Sequence, residues 1–306
     1  MRRLIGIGVF SLAVAAPLAA QNEPAALVIR VQGDVDVRHG EQAPAPASIG
    51  EQMFVGDGVI PDGGSRAILI TRAGAQQVVT ERTTIAEPRG AGNPDIFERA
   101  LATLAQAAST DASTGGRQGM IRPIPGQTAL VSPRNELTVA SPRPTFRWTA
   151  TPGQRYDLML RNIEGGRPML FEVGNDTTWT LPDDVDDLEA GSPYQWTVFV
   201  GGRQGGRAMQ PQNFRVIGLE ESVDLADYLD EIAVFGLDPQ GDGLFLTVVA
   251  YRDMGLFYEA REAMEVVERD APLSWELHRL KGEILAELGH EEEARRAFDR
   301  ADELER

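Results

Sequence analysis

Residues 255–301, GLFYEAREAMEVVERDAPLSWELHRLKGEILAELGHEEEARRAFDRA, decide how the end of this chain is read. Apolar residues recur at spacings of three and four, and Gly and Pro thin out, which is the signature of amphipathic helices. The pattern also returns on itself at one fixed interval, which separates Gly255 from Gly289, Ala260 from Ala294, and Met264 from Phe298. That interval, about 34 residues, describes a two-helix unit that buries its apolar face by stacking on its neighbours. The same step back from Ala260 and Val267 reaches Ala226 and Ala233, so Val223–Phe235 is expected as the second helix of a degenerate earlier unit. Residues 221–306 are therefore predicted as an array of five helices. Glu291–Glu293 set against Arg295 and Arg296 is helix support at i,i+4 spacing.

Upstream the period changes to two. Across residues 129–217, short strands such as Phe146-Arg147-Trp148, Tyr156–Leu160 and Tyr194–Val200 are separated by turns such as Thr151-Pro152-Gly153. About seven strands in some ninety residues predict a sandwich. Residues 109–128 are small, polar and Gly/Pro-bearing, a linker. Residues 94–108 place Ile96, Phe97, Leu101, Leu104, Ala105 and Ala108 near helical spacing behind Pro94, one amphipathic helix. Residues 25–87 again alternate between Gly/Asp turns: Leu27–Val31, Val35–Arg38, Ala67–Ile70 and Gln77–Val79. The fold class expected is multidomain, two all-β domains followed by an α-helical array, with few contacts across the linker.

The N-terminus, residues 1–20, has the order of a secretory signal: Arg2 and Arg3, a thirteen-residue apolar run Leu4–Ala16, Pro17, then Leu18-Ala19-Ala20. Thirteen apolar residues fall short of the ~20 that span a bilayer. The expected product is periplasmic or secreted, with no stable membrane insertion after cleavage. Against 46 acidic residues stand 29 basic ones, a net charge of −17. That balance argues against a nucleic-acid partner, which is held by Lys/Arg neutralisation of phosphates. Zero cysteines exclude thiol catalysis and disulfides, and three dispersed histidines (His39, His278, His290) argue against a histidine metal cluster. No cofactor is expected.

Three resemblances rest on particular residues. Gly33-Asp34-Val35-Asp36-Val37, Val55-Gly56-Asp57-Gly58-Val59 and Gly64-Ser65-Arg66-Ala67-Ile68-Leu69 resemble the FecR-like domain of bacterial envelope proteins, which implies a sensing or binding module. Pro144–Trp148, Tyr156-Asp157-Leu158 and Leu188–Trp196 resemble a fibronectin type III or related Ig-like domain. The helical region, with Gly282, Gly289, Ala294, Phe298 and Ala301 in motif positions, resembles tetratricopeptide repeats. In that family the first helix of each repeat lines a concave groove. The resemblance maps that lining, and with it partner binding, to Phe245, Val249 and Arg252 on one helix and Glu276, Arg279 and Glu283 on another. Two apolar residues, two cations and two anions suit a partner helix or extended segment with an apolar anchor and mixed charges. The competing expectation is that Phe245 and Val249 simply pack on Val223–Phe235. So short an array is expected to lean on the sandwich or to form a homodimer.

Other candidate chemistry reads as structure. Asp183–Asp187 is a carboxylate run that could take calcium but is better read as a solvated turn. Asp238–Gly243 resembles the start of an EF-hand loop, yet its twelfth position is Val249, where a bidentate Glu is required. Gly201–Arg207 lacks the Gly-Lys-Ser/Thr ending of a phosphate loop and reads as a hairpin. No Gly-x-Ser-x-Gly elbow occurs. Trp148, Trp179, Tyr194 and Trp196 are read first as sandwich core and second as a glycan platform. The expected function is a non-catalytic exported scaffold or envelope sensing module that binds a protein or peptide; the alternative is cell-wall or glycan binding through the Ig-like domain.

Overall fold

A computed structural model describes residues 23–89, 92–110, 128–134, 136–202 and 206–306. The expected signal segment 1–20 and most of the linker 109–128 lie outside the described residues. Among the described residues the layout is β followed by α: two β regions with one helix between them, then five helices.

The first β region holds β1 (Ala26–Gln32), β2 (Val35–Arg38), β3 (Ala45–Pro46), β4 (Gln52–Met53), β5 (Gly58–Pro61), β6 (Arg66–Thr71), β7 (Gln76–Val79) and β8 (Thr83–Thr84). They form two antiparallel sheets, ordered β4-β1-β6-β7 and β3-β2-β5-β8. Gly33 turns the chain from β1 to β2 at φ 75°, and a Cβ there would stand 2.4 Å from Ser65 Oγ. That hydroxyl instead accepts the Asp34 N–H at 2.9 Å, tying the turn to the start of β6. In β2 Val35 and Val37 are buried and Asp36 is exposed, the alternation of a sheet with one wet face. β1 and β6 differ: Leu27-Val28-Ile29 and Ala67–Ile70 are buried continuously, so both faces of their sheet are covered.

The cover is helical. In α1 (Pro94–Ala108) the Asn93 side chain caps the Asp95 N–H and Pro94 occupies the first turn. Its buried stripe, Ile96, Phe97, Ala100, Leu104 and Ala107, lies between β1 and β6 on one side and the C-terminal helices on the other. Those helices are α2 (Leu219–Val234), α3 (Leu244–Asp253), α4 (Phe257–Asp270), α5 (Trp275–Glu287) and α6 (Glu291–Leu304). α3 pairs with α4 and α5 with α6. Gly255 and Gly289, one repeat period apart, follow the first helix of each pair at φ 71° and 78°. Gly282 lets α5 and α6 approach, since a Cβ there would stand 2.7 Å from the Phe298 ring.

Between α1 and α2 the second β region forms β9 (Leu130–Ser132), β10 (Thr138–Val139), β11 (Thr145–Trp148), β12 (Tyr156–Asn162), β13 (Met169–Gly174), β14 (Thr178–Thr180), β15 (Pro193–Val200), β16 (Arg207–Ala208) and β17 (Gln212–Val216). One sheet is ordered β10-β17-β15-β12-β13 with β16 on β15, and the facing sheet β14-β11-β9. Tyr156, Leu158 and Leu160 on β12 point inward to Trp196, Val198, Phe146 and Phe214. This core is separate. A second, continuous core joins the first β region, α1 and α2–α5. The helical array leans on the first β region through this core and also on the sandwich region: Glu259 accepts the Ala140 N–H at 2.6 Å, the Tyr258 hydroxyl accepts the Arg134 N–H at 3.0 Å, and Arg134 donates to the Leu288 carbonyl at 2.7 Å. The first β region, α1 and α2–α5 thus share one core, and the sandwich is inserted into that unit between α1 and α2.

Candidate interaction site on the helical layer

Of the six residues expected to line a groove, Arg252 bonds α1 directly and Glu276 bonds β4, and all six lie on α3 and α5, the two helices that α1 packs against. Phe245 and Val249 are fully buried in the continuous core, because α3 is packed by α2 and α4 as well as by α1 and β1; α2 is the segment Val223–Phe235 of the competing expectation. Arg252 gives Nε and Nη2 to Glu283 Oε1 at 3.1 and 2.6 Å, and Nη1 to Gln106 Oε1 on α1 at 3.1 Å. The Arg252 and Glu283 side chains are 10% and 17% exposed. Beside them Thr103 Oγ1 on α1 donates to Asp253 at 3.1 Å. Glu276 is buried and accepts the Gln52 amide from β4 at 3.1 Å; burial holds its carboxyl above the usual range. Arg279 reaches Asp302 at 2.7 Å, Glu305 at 3.3 Å and the Thr110 carbonyl at 3.3 Å. The structure brings Arg252 and Glu283 together and leaves Arg279 bridging α5 to the end of α6. The expected open groove is thus corrected: the amphipathic face of α1 needs an apolar cover, and the helices of its own chain provide it.

A second contact fastens the β region to these helices. Ile49 N–H donates to the Pro272 carbonyl at 2.8 Å, and Ser274 N–H to the Ile49 carbonyl at 2.9 Å. The segment carrying Ile49 is braced by His39, whose Nδ1 lies 2.7 Å from Asp57 Oδ2 and whose Nε2 lies 2.9 Å from Glu51 Oε1. Asp57 also accepts the Gly40 and Phe54 amides at 3.0 and 2.9 Å, and Glu51 accepts that of Ser48 at 2.8 Å. Burial pulls the His39 imidazole down, but its hydrogen bonds to Glu51 and Asp57 and their charges outweigh this, and its pKa lies above 6.5. Burial pushes the Glu51 carboxyl up against the Ser48 and His39 hydrogen bonds. Sequence reasoning missed this cluster: its members sit on turns at spacings that match no motif.

The other expected features resolve individually. Arg143 holds the Asp183–Asp187 turn, donating to the Pro182 and Val185 carbonyls at 2.8 and 2.7 Å and pairing with Asp187 at 2.5 Å. Among the described residues no group of three or more His, Asp and Glu is placed to hold a metal ion. Of the four aromatic rings, Trp148, Tyr194 and Trp196 are buried. Trp196 Nε1 donates to the Pro133 carbonyl at 2.6 Å, and the Tyr194 hydroxyl accepts the Glu189 N–H at 2.8 Å. Trp179 is half-buried, its ring 4.4 Å from that of Phe171. Behind Phe171 a shallow cavity of about 560 Å³ is lined by Arg155, Asp157, Leu170, Glu172 and Gly202.

No protein-family model matches the chain. No curated protein matches it in sequence. Among solved structures, a β-1,2-glucanase from Parabacteroides distasonis shares 10% identity across 92% of this chain, at a TM-score of 0.22. The chain spans 50% of the length of that protein. Among the described residues, no helix is long and apolar enough to cross a membrane.

Proposed function

We propose that this chain is a non-catalytic, exported protein-interaction scaffold of the cell envelope, built from a FecR-like region, an Ig-like sandwich and tetratricopeptide-like helix pairs. The observation that carries the reading is the equivalence of positions one repeat period apart. Ala260 and Ala294, and Met264 and Phe298, are buried between paired helices, and Gly255 and Gly289 turn the chain alike. Stacked helix pairs of this kind offer side-chain surfaces rather than a reaction cleft. The charged side chains of the candidate site support the same reading, since they bond one another, neutral side chains of neighbouring elements or the backbone. For the middle region, the sheet order β13-β12-β15-β17 facing β14-β11-β9, and the Tyr194 hydroxyl bonded to backbone five residues upstream, suit an Ig-like sandwich. The partner is a protein or peptide of the envelope.

The test has two arms. Fractionation with N-terminal sequencing should return the chain outside the cytoplasm, shortened near Ala20. The mature chain, immobilised, should retain one or more proteins from its own envelope extract at stoichiometric yield. Retention of polysaccharide without protein would replace this reading by the glycan-binding one. A cytoplasmic chain that still begins at Met1 would end it.

A further inference from the structure

The two outer helices of the array end it differently. On α6 the buried residues are Ala294, Ala297, Phe298 and Ala301, and its solvent side is charged: Glu291, Glu292, Arg295, Arg296, Asp299 and Arg300 are exposed. That is the polar finish a stacked array needs at its end. α2 lacks it. Its buried side is Leu225, Tyr228 and Ile232, and directly opposite, Leu219, Val223 and Val234 are 78%, 58% and 84% exposed, with Ala226 exposed between them. The spacing from Leu219 to Val223, Ala226 and Val234 keeps these four on one stripe, ~22 Å long at 1.5 Å per residue.

The helix is also held still. Arg215 pairs with Glu221 at 2.8 and 2.9 Å, the Arg99 guanidinium lies 4.4 Å from the centre of the Tyr228 ring, and Asn93 bonds Glu231. The stripe is therefore a fixed platform, and no ordering cost falls on its backbone when something docks.

Charge decides what fits. Residues 219–234 contain six carboxylates and no Lys, Arg or His. Asp230 lies within the stripe, and Asp227, Glu220 and Asp224 flank it, all exposed. A second copy of the chain is a poor occupant. Two α2 helices laid face to face would bring six carboxylates from each copy together with no Lys, Arg or His between them, like charges across a two-fold axis. Resting on the scaffold reading above, we propose that the outer face of α2 docks an amphipathic helix of a partner protein. That helix carries apolar anchors on one side, flanked by Lys or Arg that pair with Glu220, Asp224, Asp227 and Asp230. A helix suits the platform because an apolar ridge along a helix axis seats in the groove of another helix.

The probe is a labelled eighteen-residue peptide of Leu and Lys patterned as an amphipathic helix, with a Leu/Glu peptide of the same pattern as control, both titrated into the full mature chain. The Leu/Lys peptide should bind and the Leu/Glu peptide should not. Leu219→Ser with Val223→Ser and Val234→Ser should weaken binding at least tenfold. Asp224→Asn with Asp227→Asn and Asp230→Asn should weaken it several-fold and flatten its salt dependence. Glu291→Gln with Glu292→Gln and Asp299→Asn, equally acidic but on α6, should leave it unchanged. All substituted positions are exposed, and circular dichroism verifies each fold. The proposal is overturned if the Leu/Lys peptide fails to bind, or if the α2 and α6 variants bind it alike, as attraction to an acidic chain alone would give. It is equally overturned if the free chain is a dimer that the Leu219/Val223/Val234 variant dissociates. Should the envelope extract still yield a protein partner that ignores every α2 variant, this inference falls while the scaffold reading stands.

Discussion

The two β regions, antiparallel except for the parallel β10–β17 pair, read alike along much of their length, yet one closes its own core and the other does not. In the sandwich, β12 alternates buried and half-buried residues, so one face is packed and the other is wet. In the first region, β1 and β6 are buried almost throughout, because α1 and α3 cover the face that solvent would otherwise wet. A region whose central strands need a helical cover depends on the segment that supplies it, however far away in sequence. The α3 part of that cover follows only after the chain has completed the whole sandwich.

The largest effect that would break this comparison is a truncation. A chain ending at Gly218 lacks α2–α6, leaving β1, β6 and α1 with one apolar face in water. We expect residues 23–110 of that chain to lose protection from proteolysis while residues 128–218 stay folded, since every fully buried residue of the sandwich core comes from that segment. Limited proteolysis with mass spectrometry reads both. A first region that resists protease as well as it does in the intact chain would show that the helical cover is dispensable.

Point substitutions sharpen the same contrast. Phe97 on α1 and Trp196 on β15 are both fully buried, one in each core. Either residue changed to Ala should cost about 3–5 kcal/mol. Phe97→Ala should lower the denaturation midpoint of the first β region and the helices together. Trp196→Ala should lower that of the sandwich alone. Site-specific hydrogen exchange separates the two, and a shared midpoint shift in both variants would mean the cores unfold as one.

Much of this was legible in the residues, and what was missed is instructive. Period-two alternation marked the strands, and the longer repeat period marked the helix pairs, because both are local consequences of side-chain direction. The site was another matter. Phe245 and Val249 share a buried helix with Leu246 and Val248, and that all-round apolar run was the sign of a helix covered on every side. Leu27-Val28-Ile29 and Ala67–Ile70 carried the matching sign for a sheet, continuous rather than alternating apolar residues. Each run signals that a cover exists without naming the segment that forms it. The His39, Glu51 and Asp57 cluster had no local signal, since it is assembled by three turns.

Arg252 gives the next largest effect and tests α1 as the occupant of the expected groove. It serves Glu283, Gln106 and Asp253 from a nearly buried position. Arg252→Ala leaves Glu283 and Asp253 without the cation they share and should cost about 3 kcal/mol. Arg252→Ala combined with Glu283→Gln should recover part of that loss, as removal of both partners of a buried pair usually does. Denaturant unfolding of the two variants measures it. Equal stability of Arg252→Ala and the parent chain would mean this face is solvated and open.

The smallest expected effect is a pH dependence at the seam between the first β region and the helices. With its pKa above 6.5, His39 holds its proton more tightly in the folded chain than in the unfolded one. Its contribution to stability is therefore complete below pH 6.5 and is lost as the pH rises through the folded value. Glu51, raised above 4.5, has the same sign in a more acidic window. His278 and His290, both lowered chiefly by burial, have the opposite sign: their contributions are present above 6.5 and fade as the pH falls. The parent profile alone sums these, and His39→Gln isolates one of them. The chemistry of the seam gives the reason for the direction. An imidazolium donates to Glu51 and Asp57 at once, whereas the neutral ring has one N–H and turns a lone pair toward one of the two carboxylates. The stability difference between the parent and His39→Gln should be largest at about pH 6 and narrow toward about pH 8.5. Over the same range the Ile49 amide, bonded to the Pro272 carbonyl, should exchange progressively faster than intrinsic chemistry alone predicts in the parent. A difference that stays constant with pH would mean the ring acts by its shape and neutral hydrogen bond, and that the proton plays no part in fastening the β region to its helical cover.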